Sequence, residues 1–287
     1  MVKVSIGMPV HNANKYLRDC LDSIQRQSFR DFEVIIVDDG STDNSFEICQ
    51  EYVTKDSRFK LIHQDNSGVS KARNTCLAYM SGEFITWIDS DDWVDEDYLE
   101  LLVNTQENTH ADIVHMGFKS YRDNNIYVAD FKTLYGQYNY NMPKKVAISD
   151  IFLRKYGTIT VWGDLTNSRL YRGFRFSEDN TFEDAGNKFK LYLQANKIAL
   201  SDQARYIYRI HNESLTQNIM RDTEELERIM LTVNNYEKLL YYLTLADFEF
   251  DYFKSLYIDW LDNEIDRSNN EKIRNYLVRH RQLINLR

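Results

Sequence analysis

Val2, Val4, Ile6 and Met8 alternate with small or polar residues at the start of the chain, the period-two pattern of a strand with one apolar face. Leu17, Cys20, Leu21 and Ile24 then recur at helical spacing. Val34 to Val37 form a short apolar run without alternation, which suits a strand covered on both faces in a parallel sheet. Phe46, Cys49 and Val53 mark a second helix, residues 59–62 a third strand, and Val69, Ala72, Cys76 with Tyr79 or Met80 a third helix. Phe84 to Ile88 predict a fourth strand, and a helix follows from Glu96 with Asp95 as its cap. Ile113 to Met116 predict a fifth strand. This rhythm over residues 1–116 indicates an α/β layer fold with a mainly parallel sheet.

The pattern weakens after residue 116. Residues 121–141 are rich in Tyr, Asn and Asp and read as a substrate-facing loop or an irregular hairpin. Helices are expected over 149–156 and 181–193, and short strands at 198–200 and 206–208. From about residue 222 the apolar positions, among them Leu226, Leu239, Phe253, Leu261 and Leu277, keep a helical period. The chain therefore divides into a domain over 1–220 and a helical appendage over 221–287.

The formal net charge of −9 argues against nonspecific nucleic-acid binding, which needs a basic surface. Cys20, Cys49 and Cys76 match neither a metal cluster nor a disulfide framework and are read as reduced packing residues. A strand pattern at the first residues leaves no apparent signal peptide. No apolar run approaches the roughly 20 residues that span a bilayer. The protein is expected in the cytoplasm, or peripherally at the inner face of the membrane.

Two acidic clusters stand directly after predicted strands: Asp38-Asp39-Gly40-Ser41-Thr42-Asp43 and Asp89-Ser90-Asp91-Asp92. Ligands of open α/β sheets collect beyond the carboxyl ends of strands. Clustered carboxylates repel one another unless cations or donors meet them, and a hard divalent ion meets both carboxylates and substrate phosphates. The first cluster reads equally as a turn with a helix cap, and the second as a solvated acidic loop. In a third segment, Thr181-Phe182-Glu183-Asp184, the acids suit either the positive start of a helix or a general base. Neither a GxxxxGK phosphate loop nor a GxGxxG dinucleotide loop is present.

Val4 through Leu17, Val37 through Asp43, Asn66 through Asn74 and Trp87 through Asp92, in that order, resemble the family-2 glycosyltransferases with a GT-A fold. The likeness is strong over residues 1–116 and looser from Trp162 through Thr216. It implies a nucleotide-binding α/β sandwich that uses Mn²⁺ or Mg²⁺. It also implies inverting transfer of a hexose or N-acetylhexosamine from a UDP-sugar to a glycan or polyprenyl-linked glycan acceptor of a bacterial surface polysaccharide. In this resemblance Pro9 and His11 lie beside the nucleotide, Asp39 recognises the uracil with Asp38 in support, and Lys71 and Arg73 contribute nucleotide contacts or else form salt bridges on the helix surface. Asp89 and Asp91, flanking Ser90, match the DxD pair, with Asp91 a direct metal ligand and Asp89 on the ribose or a metal-bound water. Asp92 contacts the donor sugar. Trp162 resembles an aromatic near the acceptor, though its ring suits a core role equally. His211 completes the metal site or is a loop histidine bonded to nearby backbone. Asp184 is the base, with Glu183 as the alternative.

Many bacterial relatives carry Trp-Asn-Lys-Leu where this chain has Trp162-Gly163-Asp164-Leu165, so a common lysine contact is absent or rebuilt. The QxxRW element of processive synthases is missing. A non-catalytic nucleotide-sugar binding or scaffold protein is the rival expectation, since it would keep the same donor motifs. The aromatic and basic residues of the tail, among them Tyr241, Arg274 and Arg279, suit packing on the catalytic domain, a homo-oligomer contact or peripheral membrane attachment.

Overall fold

A computed structural model describes residues 2–128, 141–153, 160–178, 183–211 and 224–285. Its first half is a succession of strands and helices: β1 (Val4–Val10), α1 (Leu17–Gln25), β2 (Phe32–Asp39), α2 (Ser45–Lys55), β3 (Phe59–Gln64), α3 (Val69–Tyr79) and β4 (Phe84–Trp87). These four strands are mutually parallel in the order β3-β2-β1-β4. Helical crossovers cover both faces of such a sheet. Every position of β2 is accordingly buried, as the unbroken Val34–Val37 run implies.

β1 departs from the one-sided strand that its alternation predicts. Val4, Ile6 and Met8 are buried, but so is Ser5 on the opposite face. The Ser5 hydroxyl donates to Glu33 (2.7 Å) and accepts the Gly82 N–H (2.8 Å), which satisfies a polar group in the core. Gly7 is required by packing: a Cβ there would stand 2.4 Å from the Trp87 ring.

After β4 come β5 (Trp93–Val94), α4 (Tyr98–Thr109), β6 (Ile113–Arg122), β7 (Asn125–Val128) and α5 (Lys144–Leu153). β8 (Asp164–Asn167), α6 (Glu183–Asn187), α7 (Phe189–Gln194) and β9 (Ile198–Arg209) follow. β8 runs antiparallel between β4 and β6 and so joins the parallel half to the β6–β9 pair, itself parallel. The two short strands expected near 200 and 207 are one strand, with a bulge opposite Met116–Phe118. The N-cap of α4 is Asp97; Asp95, the expected cap, instead pairs with Lys119 at 2.6 Å. The hairpin expected within 121–141 includes β7, while 129–140 lies outside the described residues.

α8 (Glu225–Leu245), α9 (Phe250–Arg267) and α10 (Glu271–Asn285) form the expected helical region. Phe253, Tyr257 and Leu261 recur every fourth residue on α9 and are fully buried, as a packed helical face requires. These helices share the core of the sheet domain through contacts such as Phe189 against Tyr242 (centroids 5.5 Å), and the Lys145–Glu249 ion pair (2.9 Å) joins them at the surface. The expected boundary at 220/221 lies outside the described residues. No helix among the described residues is long and apolar enough to cross a membrane.

Candidate active site

β2 ends in two consecutive carboxylates, and successive strand residues point to opposite faces. Asp39 turns toward the start of α3, where its oxygens accept Gln64 Nε2 (2.7 Å), the Ser67 N–H (2.9 Å) and the Gly68 N–H (2.8 Å). Its carbonyl accepts from His11 Nδ1 (2.8 Å), while the amides of Asn12 and Asn66 approach Nε2 (3.2 and 3.3 Å). This network selects the Nδ1-protonated tautomer. Gly40 follows because the chain turns at φ +64° with the Asn66 backbone N only 2.6 Å from where a Cβ would stand. Asp38, expected to support Asp39, lies on the other face. One of its oxygens meets His63 Nδ1 at 2.7 Å, and the other is buried with no partner among the described residues. The turn reading of this cluster belongs to Asp43, which precedes the α2 cap Asn44 and accepts the N–H groups of Ser45 (2.9 Å) and Asn14 (3.1 Å). Burial opposes its ionisation, but these donors prevail and hold its carboxyl below the ordinary range.

β4 delivers the second cluster to the same sheet edge. β2 and β4 flank β1, so the two acidic junctions stand two strand spacings apart, roughly 10 Å. Arg73, buried on α3, donates to Asp89 Oδ1 (3.3 Å) and to Asp184 Oδ1 (2.8 Å). Asp184, on α6, also accepts the Val161 N–H at 3.3 Å. Burial raises the Asp89 carboxyl to about 6; Arg73 opposes that rise, while Asp91 and Asp184 add to it. Asp91 Oδ2 lies 2.9 Å from His211 Nε2. The late histidine and the DxD acid are therefore side by side.

Two candidate site residues lie in the core, Asp92 against expectation and Trp162 in the packing role that was its alternative. Asp92 is fully buried and bonded inward: Tyr206 OH donates to one oxygen (2.6 Å) and the Arg209 N–H to the other (2.7 Å). It anchors β9 beneath the loop and presents nothing to a sugar. Trp162 stacks on Tyr206 (4.5 Å, 12°) and Tyr208 (5.5 Å, 14°), with Phe118 edge-on, and is 6% exposed. No open ring face remains for an acceptor. Trp162→Ala is expected to cost about 3–5 kcal/mol of stability, the range for an emptied aromatic core site. A thermal melt close to that of the parent would contradict the core assignment.

Pro9 is half-buried beside Val37 in the β1–β2 ladder, Ser90 lies half-buried in the turn between Asp89 and Asp91, and Lys71 is exposed on the first turn of α3. Glu183 opens α6; its side chain, like Thr181 and Phe182, lies outside the described residues. Arg209 was missed from the sequence. Its Nε donates to the Asp91 carbonyl (2.8 Å), and its guanidinium lies 4.5 Å from the Tyr16 ring and 4.4 Å from the Trp93 ring. The signal was present in the alternation Tyr206, Tyr208 against Ile207, Arg209, which marks one continuous strand running into the site.

Among the described residues no set of three or more His, Cys, Asp or Glu side chains encloses a metal site. Asp91 and His211 present an oxygen and a nitrogen side by side at the DxD loop. Mg²⁺ is commonly held by one or two carboxylates together with substrate phosphates, and imidazole suits several transition ions. The pair thus fits a divalent ion that arrives with a diphosphate.

Residues 5–157 match the sequence profile of the family described as Glycosyl transferase family 2. The chain belongs to that family. It is 36% identical over 220 residues to glycosyltransferase GlyA of Streptococcus pneumoniae serotype 4, covering 75% of this chain but only 32% of GlyA. It is 32% identical over 227 residues to glycosyltransferase GlyG of the same organism, covering 74% of this chain and 72% of GlyG. The crystal structure of Staphylococcus aureus TarS 1–349 in complex with UDP-GlcNAc superposes with a TM-score of 0.72 over 94% of this chain and 74% of that one, at 23% identity. That likeness establishes the family-2 GT-A fold. The chain spans about a third of the length of GlyA.

Proposed function

We propose that the chain is an inverting glycosyltransferase that moves a hexose or N-acetylhexosamine from a UDP-sugar to a hydroxyl of a glycan or polyprenyl-linked glycan, with Mn²⁺ or Mg²⁺. The observation that carries this reading is the convergence of Asp89 and Asp184 on Arg73, with Asp91, on the same loop as Asp89, paired to His211 from the end of β9. The UDP-GlcNAc bound by the TarS structure supports the donor class.

In this reading the His11–Asp39–Asn66 junction receives the nucleotide, and Asp91 with His211 would hold the ion. A bound divalent ion would neutralise charge on the departing diphosphate. The acceptor oxygen forms a bond to the anomeric carbon, the bond from that carbon to the diphosphate oxygen breaks, and its electron pair leaves with UDP. Asp184 takes the acceptor proton. Arg73 and the Val161 N–H each occupy one lone pair of its carboxylate and fix its direction, leaving the remaining lone pairs for the acceptor hydroxyl.

The test is a screen of UDP-glucose, UDP-galactose and their N-acetyl forms with Mn²⁺ against sugar and lipid-pyrophosphate acceptors, read by mass. One donor is expected to give a product heavier by one sugar residue, with stoichiometric UDP release that stops on chelation. UDP binding by calorimetry, combined with neither transfer nor donor hydrolysis across the panel, would favour the non-catalytic binding protein.

A further inference from the structure

Three buried ionisable side chains lie behind the reacting groups and have no part in the steps above. Asp164 opens β8 and is register-paired with His115 of β6. His115 Nδ1 lies 2.5 Å from one Asp164 oxygen and Lys188 Nζ 2.9 Å from the other. The three side chains, His115, Asp164 and Lys188, are 1%, 3% and 3% exposed. Burying an ion pair this deeply costs several kcal/mol in desolvation, so stability alone is a weak reason to keep one.

Lys188 has a second set of contacts that point to another reason. It stands one helical turn after Asp184 and donates its backbone N–H to the Asp184 carbonyl (2.9 Å). Its ammonium also donates to the Thr160 carbonyl. The next residue along, Val161, donates its N–H to the Asp184 carboxylate. One residue therefore grips both the helix that carries Asp184 and the segment that orients its carboxylate. The anchor it hangs from is a strand at the centre of the sheet.

We propose that Lys188, seated on Asp164 and His115, is a positioning residue that sets the direction of Asp184 toward the acceptor. This rests on the reading of Asp184 as the base. A displacement of about 1 Å at a reacting group costs on the order of 100-fold in rate, which sets the scale of the effect.

Three variants of the full chain test it: Asp184→Asn, Lys188→Met, and Lys188→Met combined with Asp164→Asn. The double variant removes both buried charges and leaves a side-chain amide on β8 that can still bond His115, so it folds even where the single variant, with Asp164 short of a partner, does not. Each is measured by thermal melt, by calorimetry with UDP and Mn²⁺, and by steady-state UDP release from the four UDP-sugars. Both Lys188 variants are expected to keep native UDP affinity and donor KM while kcat falls roughly 10- to 100-fold. Native kcat in the folded double variant overturns the proposal and leaves Asp184 in its role. Parallel loss of UDP affinity and kcat also overturns it, because a general structural prop would move both. Native kcat in Asp184→Asn overturns the base assignment itself.

Discussion

Exchanging Asp91 for Asn is expected to lower sugar transfer roughly 100- to 1,000-fold, the several kcal/mol that a divalent ion supplies to a departing diphosphate. Asn preserves the shape of the side chain and its capacity to bond His211, but it removes the charge that would meet the ion. The fold is expected to survive, because the backbone of this loop is held by other groups. The Asp91 carbonyl, unchanged by the substitution, accepts from Arg209, and the buried anchor is Asp92. Chelation should reproduce the defect in the parent protein and add nothing to the variant. Excess Mn²⁺ should recover part of the lost rate if the substitution weakens metal affinity. A variant with native turnover would remove Asp91 from the metal site and leave His211 without its partner there.

His211→Ala should resemble Asp91→Asn in kind, with one physical difference. His211 lies 4.6 Å from Tyr16, a ring that also covers Arg209. Its removal therefore opens space beside the loop, whereas Asp91→Asn does not. The Asn variant is for this reason the cleaner probe of the ion.

The parallel half of the fold was legible because its strands are apolar runs joined by amphipathic helices of ordinary length. β5 and β8 were not. β5 is two residues long, and β8 reads Asp164-Leu165-Thr166-Asn167, a polar stretch that no periodicity marks as buried. It enters the sheet because Asp164 finds His115 and Lys188, residues 49 and 24 positions away along the chain. The presence of Asp164 in place of a common lysine was visible in the sequence; the lysine that answers it, on a different element, was not.

Within the site the acids sorted themselves by geometry that spacing does not carry. Asp38 and Asp39 fall on opposite faces, which the period of a strand already dictates. Asp91 and Asp92 sit in a loop, where no period applies, and only the contacts of β9 reveal that one faces outward and the other is sealed. Trp162 shows the same limit for an aromatic ring: a sugar platform and a core stack share one residue type, and exposure alone separates them.

Asp184→Asn is expected to lower kcat roughly 100- to 10,000-fold, the range for loss of a positioned general base, while UDP and Mn²⁺ bind as in the parent. The nucleotide junction is built on Asp39 and its donors from β3 and the start of α3, and the ion would rest on Asp91 and His211. Neither set of bonds runs through Asp184, and Arg73, which it shares with Asp89, keeps its Asp89 bond, so the ground-state donor complex is expected to hold. The local cost is separate and smaller. Asp184 accepts from Arg73 on one oxygen and from Val161 on the other, and an amide can satisfy only one of those two donors. Leaving one donor unmet costs about 1–3 kcal/mol, which a melt will register without abolishing the fold. Glu183→Gln is the necessary comparison, because Glu183 shares α6 and was the alternative base. If Glu183→Gln abolishes turnover and Asp184→Asn does not, the roles exchange: Asp184 becomes the acid that holds Arg73 in place. If both variants turn over at the native rate, α6 carries no base, and the convergence on Arg73 is an ion-pair network that serves the fold alone.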